Sequence, residues 1–294
     1  MKPAAFDYHR AETVEHALEL LQQHGWDAKL LAGGQSLVPA MNFRLAMPAV
    51  LIDLNRIPGL DHIREEAGAL RLGTMVRQHA AEVSPAVAAA APLLAEALPF
   101  VAHPQIRNRG TIGGTIAHAD PAAELPAVMM ALGALFHVAG PNGTRTIGVD
   151  GFFTGLFATA LEPDEMLVEI EIPRAEPRTG TAFLEVSRRH GDFALAGIAA
   201  AVALDEGGRC ADARIVLMGV GEGPALAMGA AAALAGADPT ADAIRAAADA
   251  AMSELDPPYD IHASADYRRH LVGVLVNRAL PVAFERARAN AQRA

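Results

Sequence analysis

Only one cysteine, Cys210, is present in 294 residues. That excludes a disulfide framework. It also excludes an iron–sulfur cluster held by this chain alone, because such a cluster needs several thiolates. Basic residues are in short supply: 24 Lys and Arg stand against 34 Asp and Glu, a formal net charge of -10. No Lys/Arg run has the density of a nucleic-acid-binding face; Arg107 and Arg109 are isolated, and Arg188 with Arg189 is only a pair. A strongly apolar stretch of about 20 residues, as a membrane-spanning helix needs, is missing too. The most apolar segment, residues 86–102, is alanine-rich and broken by Pro92, Glu96 and Pro99. Asp7, His9, Arg10 and Glu12 stand where a secretory signal would carry its apolar core, so a cytoplasmic location is expected. His103, His118 and His137 fall at no ligand spacing such as H-E-x-x-H, so no metal site is expected.

What is present is core material. Hydrophobic residues make up 52% and charged residues 20% of a chain long enough for two domains. Thr13 is placed to cap a helix whose apolar face is Val14, Ala17, Leu18 and Leu21, and Gly25 ends it. Lys29–Leu31 and Val50–Ile52 read as short buried strands, and Leu70–Leu72 as another. Ser84-Pro85 starts a helix by the cap-then-proline rule. By the same rule Asp120-Pro121 starts one that runs through Leu132. Residues 105–117, between them, are punctuated by glycine and are expected to be irregular. Leu135–Val138 and Thr144–Val149 form a hairpin across Pro141-Asn142-Gly143, and Leu167–Ile172 alternates as a half-buried strand. Residues 173–179 carry two prolines and several charges and read as a linker. Beyond it come strands at Ala182–Val186, Ile198–Leu204 and Ile215–Val220, alanine-rich helices near 227–235 and 241–255, and a long helix over Asp266–Arg288.

Two glycine segments carry the chemistry. Ala32-Gly33-Gly34-Gln35-Ser36 follows a strand; Arg109-Gly110-Thr111-Ile112-Gly113-Gly114-Thr115 precedes Ala117-His118-Ala119-Asp120-Pro121. Glycine lets backbone N–H groups come close to a ligand, and successive N–H groups form a concave anion site. Ser36, Thr111 and Thr115 add hydroxyls. Neither segment is the G-x-G-x-x-G of a doubly wound nucleotide fold, and neither is followed by the Lys-Ser/Thr of a P-loop. Either Gly-Gly pair alone reads as an ordinary tight turn. The two together are also compatible with one elongated polyphosphate ligand, and spacing leaves both readings open.

Longer motifs go further. KLLAGGQSLVPAMNFRLAMPAVLIDL (residues 29–54) and QIRNRGTIGGTIAHADPAAELP (105–126) resemble the two FAD motifs of the medium subunits of molybdenum-containing hydroxylases. That family includes aerobic carbon monoxide dehydrogenase and the flavin domain of xanthine dehydrogenase. SRRHGDFALAG (187–197) and LDPPYDIHASADYRRHLVGVLVNRAL (255–280) continue the likeness, in order, over nearly the whole chain. The resemblance implies an α+β chain. Its FAD-binding domain, of the vanillyl-alcohol-oxidase/PCMH type, would cover 1–175 in two parts (about 1–57 and 58–175), with a small α+β C-terminal domain over 176–294. It implies an electron-relay role beside a large subunit carrying the molybdenum cofactor and a small subunit carrying [2Fe–2S] clusters, in a dimer of heterotrimers. A self-sufficient FAD-dependent oxidoreductase on the same fold is the competing reading, and a scaffold that has lost FAD a third. The substrate and the electron acceptor stay open.

Carried over position by position, the resemblance puts Ala32, Gly33, Gly34, Gln35, Ser36 and the following Leu37 around the FAD diphosphate, with Lys29 and Leu31 beside it. Gly110, Thr111, Gly113, Gly114 and Thr115 complete the grip, and Ala117 touches the cofactor. Glu124 matches an acidic position that binds the adenosine ribose, though it also suits the first turn of a helix. Leu167 matches a position against the adenine, and Phe193 an aromatic near the isoalloxazine; each is equally a plausible packing residue. Asp120 is expected to cap, with direct cofactor contact as its second reading; Arg107 and Arg109 are expected to brace the second loop, with neutralising phosphate charge as theirs. Valine at Gly33 or Gly113 is expected to block FAD binding with the fold largely kept. No general base or nucleophile is expected. Two departures from the family are Gln35 and Thr115, where relatives carry other hydrogen-bonding residues. A third is Leu184-Glu185, where many relatives place a lysine beside the flavin.

Overall fold

The computed structural model describes residues 1–293. The chain opens with β1 (Asp7–Arg10), α1 (Val14–His24), β2 (Ala28–Leu31), α2 (Leu37–Asn42) and β3 (Val50–Asp53). These strands form a three-stranded sheet of order β1-β3-β2, with β1 and β2 both parallel to β3. Parallel neighbours need a crossover, and α1 and α2 supply it. The Thr13 hydroxyl accepts from the His16 N–H at 3.1 Å, and Gly25 closes α1 at φ +54°, as expected. β1 and α2 had no reading in the sequence: β1 is only four residues long and mostly exposed, so it lacks an apolar alternation.

Next come β4 (Ile63–Glu66), β5 (Ala69–Gly73), α3 (Gln78–Glu82), α4 (Pro85–Ala90), α5 (Pro92–Ala97), α6 (Pro104–Arg107), α7 (Ile112–His118) and α8 (Glu124–Ala131). They are followed by β6 (Leu135–Gly140), β7 (Gly143–Gly148), β8 (Phe153–Gly155), β9 (Ala158–Thr159) and β10 (Met166–Pro173). Five of the strands make an antiparallel sheet of order β4-β5-β10-β6-β7, while β8 and β9 pair apart. The β6–β7 hairpin turns through Pro141-Asn142, where it was expected. Two expectations are corrected here. Residues 105–117 contain helices α6 and α7 rather than irregular chain. The next helix, α8, begins at Glu124, not at Asp120: Asp120 Oδ1 instead accepts from the Ala122 N–H at 2.9 Å and its carbonyl from Ala123, closing a turn ahead of the helix.

The chain finishes with β11 (Thr179–Ser187), β12 (Ala194–Leu204), β13 (Cys210–Met218), β14 (Ala225–Leu226), α9 (Met228–Leu234), α10 (Ala241–Ser253) and α11 (Ala265–Ala291). The four strands are antiparallel in sequence order. Both faces of this sheet are covered, which explains why β12 reads as a near-continuous small apolar run rather than an alternating one. Ala182, Ile198, Ala200, Ile215 and Leu217 face α9, α10 and α11. Phe183, Ala199, Val216 and Met218 face the other way and join one core with Leu94 and Leu98 and with Val128 and Met129 of α8. Polar ties run along this seam: Arg214 Nε donates to the Met130 carbonyl at 2.9 Å, Arg286 Nη1 reaches Glu96 at 2.6 Å, and the Gly219 N–H donates to the Pro121 carbonyl at 2.9 Å. None of the described helices is long and apolar enough to cross a membrane.

Candidate functional site

The two glycine segments, 75 or so residues apart in the chain, lie against each other. A Cβ placed on Gly33 would come within 3.0 Å of the Arg109 carbonyl oxygen and the Gly110 Cα. Across the same contact, a Cβ on Gly114 would meet that of Ala32 at 3.5 Å. Backbone touches backbone here, and glycine is what permits it.

The first segment leaves its backbone N–H groups unspent. Among the described residues, the N–H groups of Gly33, Gly34, Gln35, Ser36 and Leu37 meet no acceptor within the chain. Gly34 takes φ +73° while Ser36 is right-handed at φ -105°, and such a mixture of hands turns successive N–H groups toward one concavity. The Gln35 amide donates back to the Gly33 carbonyl at 2.9 Å, and the Ser36 hydroxyl makes no cap bond, so it too is free for a ligand. Leu31 packs under Gly34, and Lys29 is exposed on β2. Gly33, Gly34 and Leu37 are half-buried and Gln35 and Ser36 exposed, so this run of unpaired N–H groups is open to an anionic ligand or to water.

The second segment does something different. Gly110 donates to Ile106, Ile112 to Val76, Gly113 to Thr74, and Thr115 to Thr111. The Gly114 N–H is taken by the capping Thr111 hydroxyl at 3.0 Å. Of its residues 110–115, only the Thr111 N–H is left without an acceptor in the chain. The expectation that both loops offer a row of N–H donors is therefore corrected: the first loop keeps its N–H groups free within the chain, while the second has spent all but one of its own. Its glycines serve close packing, since a Cβ on Gly113 would come within 3.0 Å of Thr74 Cβ, Cα and O. Gly113→Val is accordingly a fold mutation as much as a binding one. The Thr115 hydroxyl accepts from Gln78 Nε2 at 2.8 Å, and Ala117 is exposed one turn along α7.

Residues that sequence reasoning missed hold this junction. Asn55 Nδ2 donates to the Ala32 carbonyl at 2.9 Å and Asn55 Oδ1 accepts from Arg77 Nη2 at 2.6 Å, while Arg77 Nη1 donates to the Arg109 carbonyl. Gln78 lies buried behind Gly110, its N–H on the Gly110 carbonyl at 2.9 Å and its Oε1 without a partner. No local motif marks these residues; their partners are far along the chain. Arg107 braces the chain ahead of the second loop rather than the loop itself: its buried guanidinium meets Glu82 at 2.9 Å and the Val101 carbonyl at 2.9 Å. Arg109 contributes its carbonyl to the brace, and its side chain is exposed.

The remaining expected residues sit apart from the loop contact. Glu124 starts α8 and is only 6% exposed; burial, then the charge of Asp120, push its carboxyl up to about 7, against its own N–H and Arg107. Glu185, on β11, is pushed up to about 8 by burial and by Glu124, and its Oε2 is buried without a hydrogen-bond partner. Leu167 is buried in the core shared by β10 and β6, beside a bulge. Phe193 is 66% exposed just before β12, on the loop whose Gly191 packs against His103. His118 stacks near Phe157, with ring centroids 5.1 Å apart. No group of His, Cys, Asp and Glu among the described residues could hold a metal ion.

Comparison with known proteins gives this geometry its context. Residues 4–175 match the family described as FAD binding domain in molybdopterin dehydrogenase, and residues 181–283 the CO dehydrogenase flavoprotein C-terminal domain. The carbon monoxide dehydrogenase medium chain of Hydrogenophaga pseudoflava is 45% identical over 286 residues, covering 97% of this chain and 99% of that one. The 6-hydroxypseudooxynicotine dehydrogenase complex subunit alpha of Paenarthrobacter nicotinovorans is 44% identical over 288 residues, covering 98% and 97%. A solved structure of the Hydrogenophaga pseudoflava carbon monoxide dehydrogenase, a form lacking the Mo-pyranopterin moiety of the molybdenum cofactor, superposes with a TM-score of 0.95 at 46% identity, covering 97% and 99%. The chain belongs to the family of FAD-binding medium subunits of molybdenum hydroxylase-type dehydrogenases.

Proposed function

We propose that this chain is the electron-relay subunit of a cytoplasmic molybdenum hydroxylase. Its partners in this reading are a small subunit with [2Fe–2S] clusters and a large subunit with the molybdenum cofactor, in a dimer of heterotrimers. The chain divides into a FAD-binding domain over 1–175 and a C-terminal domain over 176–294. Bound FAD supplies a two-electron store between one-electron clusters and an external acceptor. The chain's own residues bind and orient it. The N–H groups of Gly33, Gly34, Gln35, Ser36 and Leu37 take the diphosphate, with the Ser36 hydroxyl, and Lys29 adds positive charge nearby. Gly110, Gly113 and Gly114 keep the opposing wall, the second loop, thin, and Thr111, Thr115 and Ala117 line it. Glu124 offers oxygens to the ribose hydroxyls, Leu167 backs the adenine, and Phe193 covers the isoalloxazine.

The observation that supports this best is the row of unpaired N–H groups at 33–37, pinned against the second glycine loop. Titrating the purified chain with FAD tests it: one FAD per chain is expected, with quenching of flavin fluorescence. A chain that takes up none, or whose uptake is indifferent to substitutions at 33–37, refutes the assignment.

A further inference from the structure

Several inward-turned arginines in this protein have carboxylates to match. Arg107 meets Glu82 at 2.9 Å, Arg268 meets Asp260 at 2.8 Å, and Arg71 meets Glu169 at 2.6 Å. Two half-buried arginines among the described residues have none: Arg178, which donates to the Asp205 carbonyl at 3.1 Å, and, at the contact between the glycine loops, Arg77. The Arg77 guanidinium is half-buried at the loop junction and bonded to two neutral acceptors, Asn55 Oδ1 and the Arg109 carbonyl. Among the described residues no carboxylate lies within ion-pair distance of Arg77, nor of Arg109 beside it, whose like charge repels that of Arg77. Asp53 and Asp61 act on Arg77 only from further off. The Asp53 carboxylate is committed elsewhere, to the Tyr8 hydroxyl and to the Asn55 N–H at 2.8 Å. A half-buried guanidinium without a counter-ion is expensive, and a site that gains an anion on binding removes that cost. The carbonyl that Arg77 holds is the one against which Gly33, first residue of the unpaired N–H row, is packed.

We propose that Arg77 is a binding residue for the dinucleotide: its charge, reinforced by Arg109, is the standing counter-charge for the bound diphosphate, and its fork fixes the spacing of the two loops. This rests on the FAD reading of the site. Arginine suits both tasks, being always charged and planar with several donors.

The test is FAD titration of the full chain at several salt concentrations, for the wild type, Arg77→Gln, Arg77→Lys and Asn55→Ala. Arg77→Gln is expected to bind FAD about ten- to thirtyfold more weakly at low salt and to lose most of the salt dependence that screening of a charge pair produces. Arg77→Lys keeps that salt dependence. Asn55→Ala loses affinity through the loosened Ala32 carbonyl, yet keeps the wild-type salt slope. An Arg77→Gln variant with the wild-type salt slope overturns the inference and leaves the FAD reading standing. A wild-type chain that binds no FAD overturns both.

Discussion

The Glu185 carboxyl on β11 lies within electrostatic reach of the Glu124 carboxyl at the head of α8, and neither is in ion-pair contact with a cation among the described residues. The nearby charges are Asp120 and Arg107 around Glu124. Of the elements packed on β11, β12 has no charged side chain, and Glu96 of α5 is taken up by Arg286 of α11. Two acids that resist ionisation therefore sit at the seam between the second and third sheets.

The pH dependence of stability should show this pair. Both groups are raised in the folded chain, to about 7 and about 8, from 4.5 when exposed. Below 4.5 both states hold the protons and nothing is lost. As pH rises between 4.5 and those folded values, the unfolded chain releases protons that the folded chain keeps, so stability falls; above them it levels off. In urea unfolding followed from about pH 5 to about pH 8, Glu185→Gln should gain on the wild type steadily with pH. A constant difference between the two chains across that range would contradict it.

Glycine substitutions should separate binding from folding. Gly33→Ala forces the Arg109 carbonyl away and should lower FAD affinity by about tenfold or more, roughly 1.4 kcal/mol, with a smaller change in thermal midpoint. Gly113→Val drives into Thr74 and should lower stability by about 1–3 kcal/mol or more, taking FAD binding with it. Thermal melts and flavin titrations on the same preparations decide between the two.

Thr111 is a buried helix cap, and its loss should be felt at the wall of the site. Thr111→Ala is expected to cost about 1 kcal/mol, with Thr111→Ser close to wild type because the hydroxyl is kept. Equal stability of the alanine and serine variants would show that the cap is idle.

Arg268 ties the long terminal helix to the seam. Its guanidinium is buried and donates to the Leu195 carbonyl at 2.6 Å and the Gly219 carbonyl at 2.9 Å, and Gly219 in turn donates to Pro121 ahead of α8. Arg268→Met should destabilise the chain by about 3 kcal/mol, discounted because Asp260 is half-exposed. Chemical denaturation measures it; a loss under about 0.5 kcal/mol, the range of ordinary surface changes, would mean that the network is dispensable.

Turnover should belong to the complex. The chain alone is expected to bind FAD and to be reduced by a chemical donor, but not to oxidise an aldehyde, a purine or another N-heterocycle. Steady oxidation of such a substrate by the isolated chain would instead favour a self-sufficient flavoenzyme.

Much of the local structure was legible because its signals are local. Thr13 and Gly25 bound α1, Ser84-Pro85 opens α4, and Pro141-Asn142 turns the hairpin, each through groups a few residues apart. Residues 105–117 misled for a physical reason. Glycine penalises a helix when counted residue by residue, yet Gly113 is required inside α7 because Thr74 leaves no space for a side chain. Asp120 misled because an Asx turn and a helix cap use the same side-chain chemistry.

The sequence by itself determined which stretches hold glycine, hydroxyls and apolar faces, and through its long motifs the flavoprotein family. Only the tertiary structure decided how the two loops share the labour. That depends on which N–H groups are already spent, as with Gly113 on Thr74 and Gly114 on Thr111, and on Arg77 and Asn55 meeting carbonyls 32 and 23 residues away. Hydrogen bonds between distant segments leave no periodic or local trace in a chain; they exist only once packing has brought the partners within reach.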